Sequence, residues 1–157
     1  LVVVSLLNNR HHTPVLKRTP NPVYPAKDAT FDFPIYLSLA DKIGSVELVV
    51  WDRDTLKLKK EYVGEVALTL ESWFRDGDPD ALASRLPFSA EANKPRSVNL
   101  VSTRAHTHAS GVAIVKLGFI APSHARATAD FERVFEELVK RSRPSLVSAP
   151  PVHLLLP

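Results

Sequence analysis

The chain contains no cysteine, so neither a disulfide framework nor a thiolate metal site can hold it together. That absence is compatible with the cytosol without proving it. Glycine is scarce, at 5 residues against 13 prolines. The loops are therefore stiffened by fixed φ more than loosened by free backbone. No run approaches the roughly 18–20 apolar residues that a membrane-crossing helix needs, and residues 1–7 read instead as a buried strand. A charged leader with a small-residue cleavage site is missing, so no signal peptide is expected. No helix carries a dense Lys/Arg face and no aromatic–basic ladder appears, so no nucleic-acid partner is expected. No serine sits in a Gly-x-Ser-x-Gly elbow. His11-His12 and His106-x-His108 lack the Cys/His or helical spacing of a zinc site and read as turn or surface histidines. With no catalytic constellation, the chain is not expected to be an enzyme in itself.

What remains is a protein of ordinary globular composition: 157 residues, 45% hydrophobic and 24% charged. That is the size of one domain with a tail. The net charge of +3 and pI near 9.3 suit anionic partners without demanding them.

Residues 1–7 form a β-branched run closed by Asn8-Asn9, a turn signal. Residues 13–19 read as the next strand. The prolines at 20, 22 and 25 exclude a helix or inner strand from the loop that follows. Phe31-Asp32-Phe33 resumes alternation with both aromatics on one side. Val46 to Trp51 is nearly continuous in apolar residues and therefore central. Val66, Leu68 and Leu70 alternate with Glu65, Ala67 and Thr69, as in a strand with one wet face. Residues 75–96 read as a long excursion with a short helix near 80–84. Val98 and Leu100 restart a strand, and residues 111–119 supply the last one, with Ala113, Val115, Leu117 and Phe119 on one face. Short strands joined by Pro- and Asp-rich turns, with no helix between them, predict an all-β antiparallel sandwich.

Beyond residue 120 the periodicity becomes helical. Phe131, Val134, Phe135, Leu138 and Val139 form a stripe, Asp130 stands at the N-cap, and Lys140, Arg141 and Arg143 suit the C-terminal dipole. Pro144 stops the helix. The organisation expected is a sandwich over 1–120, a linker and amphipathic helix over 121–143, and a Pro-rich extended tail over 144–157. The helix is expected to dock on the sandwich or on a neighbouring domain. No internal repeat is visible.

The most telling stretch is Val49-Val50-Trp51-Asp52-Arg53-Asp54, a short loop, and then Glu61-Tyr62-Val63-Gly64-Glu65-Val66. In extended backbone, side chains at i and i+2 leave the same face. Asp52 and Asp54 therefore aim at one point on the rim of a sheet. Carboxylates sharing a site repel unless a cation neutralises them, and calcium, bound by oxygens, does so well. The loop before Glu61 interleaves Leu56 and Leu58 with Lys57, Lys59 and Lys60, as a loop pressed onto an anionic membrane would. Two plainer readings stand beside this one. Asp-x-Asp at a strand end is also ordinary turn chemistry, and a cationic loop is also a solvated edge. Trp51 and Trp73 read as core or rim packing.

Two motifs make the chain resemble the C2 domain. One is Lys17-Arg18-Thr19-Pro20-Asn21-Pro22-Val23-Tyr24 leading to Phe31-Asp32-Phe33. It is similar to that family's basic strand, Asn-Pro-x-aromatic turn and Phe-x-Phe strand. The other is the stretch from Val49 to Val66, similar to its third calcium loop and next strand. With the last strand, the resemblance covers about residues 1–120.

It implies an eight-stranded antiparallel sandwich that binds anionic phospholipid through calcium held between loops at one end. Carried over by position, Asp52 and Asp54 match the two third-loop aspartates, and Glu61 stands near the place of a further one. Leu56 and Leu58 would insert while Lys57, Lys59 and Lys60 meet lipid phosphates. Arg10, Lys17 and Arg18 would form a basic face on the second strand, which in this family can contact phosphoinositide head groups; a soluble strand face is the alternative.

The chain departs from the family's pattern in two ways. The Asn-Pro turn is longer than usual. Leu1 also falls just after the family's Asp-Pro-Tyr, so the chain reads as an N-terminally truncated fragment whose first calcium loop lies upstream. Calcium takes about six to eight oxygens, so binding is expected to be weak or absent in this chain.

A second resemblance concerns the run Phe131-Glu132-Arg133-Val134-Phe135-Glu136-Glu137-Leu138-Val139-Lys140-Arg141-Ser142-Arg143-Pro144. It is similar to the linker after the regulatory C2 domain of fungal phosphatidylserine decarboxylases. The Gly-Ser self-cleavage motif of those enzymes is absent, so catalysis would lie downstream.

The function expected is therefore a calcium-dependent, phospholipid-binding membrane-targeting module of a larger protein, cytoplasmic and peripheral to membranes, endomembranes included. The alternatives are a calcium-independent protein-interaction module, docked on other domains through the C-terminal helix, and a non-catalytic fragment of a decarboxylase.

Overall fold

The computed structural model describes residues 1–35, 44–54, 58–69, 87–120 and 136. Six strands are defined there: β1 (Val2–Leu6), β2 (Asn9–His12), β3 (Ser45–Asp54), β4 (Lys59–Thr69), β5 (Arg96–Asn99) and β6 (Val112–Val115). Four of them form one sheet in the order β2-β1-β3-β4, and β5-β6 form a second. Every strand pair is antiparallel. As its unbroken apolar run predicts, β3 is central, bonded to β1 on one side and β4 on the other.

The two sheets close on a common core. Leu6, Val46, Leu48 and Leu68 are buried. Val2, Val4 and Val66 of the first sheet pack against them, as do Val98 and Val115 of the second and Leu117 and Phe119 beyond it. Residues opposite each other across a ladder share a face, so the registers Leu6↔Val46 and Val46↔Leu68 line three buried residues along one row. β6 follows the expected alternation: Ala113 and Val115 are half-buried, Val112 and Ile114 exposed. The architecture is an antiparallel sandwich, as the strand pattern predicts.

The second strand differs from expectation. It spans Asn9–His12, not 13–19, because Leu6 pairs with Asn9 and closes the hairpin over Leu7 and Asn8 alone. Leu7 takes left-handed backbone there, with φ 53. Thr13 adds one more rung, its amide donating to Val2 O at 2.9 Å, and Pro14, with no amide to donate, ends the ladder. The buried Thr13 hydroxyl accepts from the Val2 amide at 2.9 Å and donates to Pro14 O at 3.1 Å.

After a single 3-10 turn at Ala26–Asp28, Phe31 and Phe33 do share a side. His11 stacks parallel to Phe31 at 5.4 Å and edge-on to Phe33 at 5.1 Å, although 31–33 forms no strand. The expected helices near 80–84 and over 131–143 (Glu136 apart) and the tail over 144–157 lie outside the described residues.

Candidate functional site

β3 and β4 leave the sandwich as one hairpin, in the register Trp51↔Tyr62, Asp52↔Glu61, Arg53↔Lys60 and Asp54↔Lys59. On the inner side of β3 the sequence reads Val46, Leu48, Val50, Asp52. The face that begins as core thus ends in acid where it emerges between the sheets. Glu61 lies directly across from Asp52 and joins that face, and both residues are exposed. Directly opposed residues hold their Cβ atoms about 4.5–5.5 Å apart, within reach of a shared cation. Two residues on, Asp54 pairs with Lys59 in the ladder.

The Leu1 main-chain nitrogen donates to Trp51 O at 2.8 Å. Among the described residues, no group of three or more His, Asp or Glu stands ready around a metal.

At the tip, Leu58 is 90% exposed and sits in left-handed backbone with φ 49. Lys59 and Lys60 follow it, both exposed. Leu56 and Lys57 lie outside the described residues. Of the expected basic face, Arg10 alone belongs to β2. Lys17 and Arg18 fall in the irregular segment beyond Pro14, exposed, with Arg18 at φ 59. The three do not share a strand face, because Pro14 ends the strand that would have aligned them.

The outer face of the hairpin carries a cluster that the sequence did not announce. The Lys60 ammonium lies 4.5 Å from the Trp51 ring centre. The Arg104 guanidinium lies 5.0 Å from the same ring and 4.2 Å from Tyr62. The two rings meet edge-to-face at 5.8 Å. No local pattern could have located Arg104, which stands far along the chain from both rings.

The model of the C2 domain family matches residues 1–85 of the chain. No curated protein and no solved structure matches it. More than half the chain lies within the family match, and the antiparallel sandwich is consistent with it: the chain belongs to the C2 domain family.

Proposed function

We infer that this C2 domain binds anionic phospholipid membranes with the help of calcium. Membrane targeting or calcium binding is the general role of the family. The observation that carries the finer reading is the hairpin's division of labour. Asp52 and Glu61 face each other on its inner side, with Asp54 two residues further along the same strand. Leu58 projects from its tip beside Lys59 and Lys60.

Asp52, Asp54 and Glu61 would supply carboxylate oxygens to the ion, which neutralises their repulsion and lets the tip approach a negative surface. Leu58 is costly twice in water, since it is both apolar and left-handed. A headgroup layer removes the first of those costs. Lysines near an anionic surface add about 1 kcal/mol each. Among the described residues, no helix is long and apolar enough to cross a membrane.

Sedimentation of the chain with phosphatidylserine vesicles, in calcium and in chelator, tests this reading. Binding in calcium that is lost in chelator supports it. Equal binding in both removes the ion from the mechanism.

A second reading, a calcium-independent protein-interaction module, rests on the opposite side of the second sheet. Val112 and Ile114 of β6 are 56% and 71% exposed there, apolar side chains of the sort that a contact surface presents. It predicts that Asp52→Asn leaves function intact while Ile114→Lys abolishes partner binding.

A further inference from the structure

The ladder between β3 and β4 is irregular between Val50 and Trp51. Val50 pairs with Gly64 and Trp51 with Tyr62, so Val63 is the extra residue of a bulge. A bulge bends its strand, disrupts the ladder locally and increases the right-handed twist, and this one stands at the base of the acidic hairpin. It also brings Tyr62 and Glu65 onto the same outer face, because Glu65 opposes Val49 and Tyr62 opposes Trp51.

Glu65 is held by the 101–104 segment. Its amide donates to Val101 O at 2.9 Å, and the Val101 amide returns a bond to Glu65 O at 2.8 Å. The Thr103 hydroxyl donates to Glu65 Oε1 at 2.9 Å, and the Tyr62 hydroxyl donates to Glu65 Oε2 at 2.7 Å. The segment anchored in this way carries the Arg104 guanidinium to both Trp51 and Tyr62.

Trp51 and Tyr62 are the chain neighbours of Asp52 and Glu61 and, like them, a cross-strand pair. Fixing the two rings on the outer face therefore fixes the spacing of the two carboxylates on the inner one. We propose that Arg104 is a positioning residue: clamped over Trp51 and Tyr62 and anchored through Glu65, it locks the bulged base of the hairpin and presets the Asp52–Glu61 pair for a divalent cation. The role for the cation rests on the function proposed above; the clamp on the hairpin does not.

The test compares wild type, Arg104→Gln, Arg104→Lys and Thr103→Val in the full chain. Two readouts are used: amide hydrogen exchange across 51–62, and calorimetric titration with calcium chloride alone. Arg104→Gln is expected to speed exchange at the hairpin base about fivefold and to weaken calcium binding by a similar factor. Exchange in β1 should not change. Arg104→Lys, which keeps a cation over the rings, should recover part of both losses. Thr103→Val frees the anchor without touching the rings and should move both readouts the same way, by less.

Unchanged hairpin exchange in Arg104→Gln overturns the proposal, as does Arg104→Lys behaving no better than Arg104→Gln. If Arg104→Gln fails to fold, Thr103→Val decides: local loosening of the hairpin supports the clamp, and wild-type exchange refutes it. Should wild type give no calcium heat at all, the functional reading falls while the exchange comparison still decides the clamp.

Discussion

Asp52 and Glu61 stand directly opposite each other across the β3–β4 ladder, both exposed, on the face that further down the same strands becomes the core. Two like charges in that relation destabilise the free hairpin, yet they sit where the two sheets part. A fold that needed only stability would place a neutral pair there.

Neutralising the pair should therefore raise stability while lowering function. Asp52→Asn with Glu61→Gln is expected to stabilise the chain in chelator by about 0.2–1 kcal/mol and to abolish calcium-dependent vesicle sedimentation. Denaturant unfolding in chelator reads the first effect. A double variant less stable than wild type would show the carboxylates held by structural bonds.

Leu58 supplies a second trade-off. Replacing it by glycine relieves left-handed strain of about 1–2 kcal/mol, partly offset by the greater entropy of the unfolded chain. Thermal unfolding should show a small gain, and vesicle binding should weaken as the exposed side chain is lost. Tighter vesicle binding by Leu58→Gly would exclude insertion of the tip.

The two lysines beyond the tip should behave differently. Lys59 and Lys60 are both exposed, so replacing either by glutamine should cost vesicle binding about 1 kcal/mol. Lys60 also lies over Trp51 at 4.5 Å. Lys60→Gln alone should therefore lose stability as well, by about 0.5–1 kcal/mol. Paired unfolding and sedimentation curves separate the two contributions.

Close packing makes a fourth expectation. A Cβ on Gly64 would lie 3.0 Å from the Ala109 Cβ and 3.1 Å from the Leu100 Cβ; on Gly118 it would lie 2.5 Å from the Phe88 Cα. Gly64→Val should cost about 1–3 kcal/mol by overpacking. Gly118→Ala should cost at least as much, since backbone has to move. Urea midpoints below wild type for both variants are the expected result.

Much of the fold was legible in the residues. The β-branched run at the start, the apolar run from Val46 to Trp51 and the alternation around Val66 and Leu68 each became a strand, and Val66 and Leu68 turn inward as their alternation predicts. Periodicity and burial are tied by backbone geometry, so these strands needed no tertiary information to be recognised. The misplaced second strand shows where that logic stops. The basic and apolar residues of 13–19 alternate well enough, but Pro14 cannot extend a ladder. The two-residue hairpin instead made a strand of Asn9–His12, a polar and exposed stretch whose alternation is weak.

The chain alone determined that Asp52 and Asp54 share a strand face, because alternation is a property of the backbone and not of its surroundings. Only the tertiary structure decided that Glu61 lies opposite Asp52, since the bulge at Val63 sets that register. It alone, too, brought Arg104 onto Trp51 and Tyr62. Contacts between residues far apart in sequence are selected by how two sheets close on one core, and no local pattern encodes that closure.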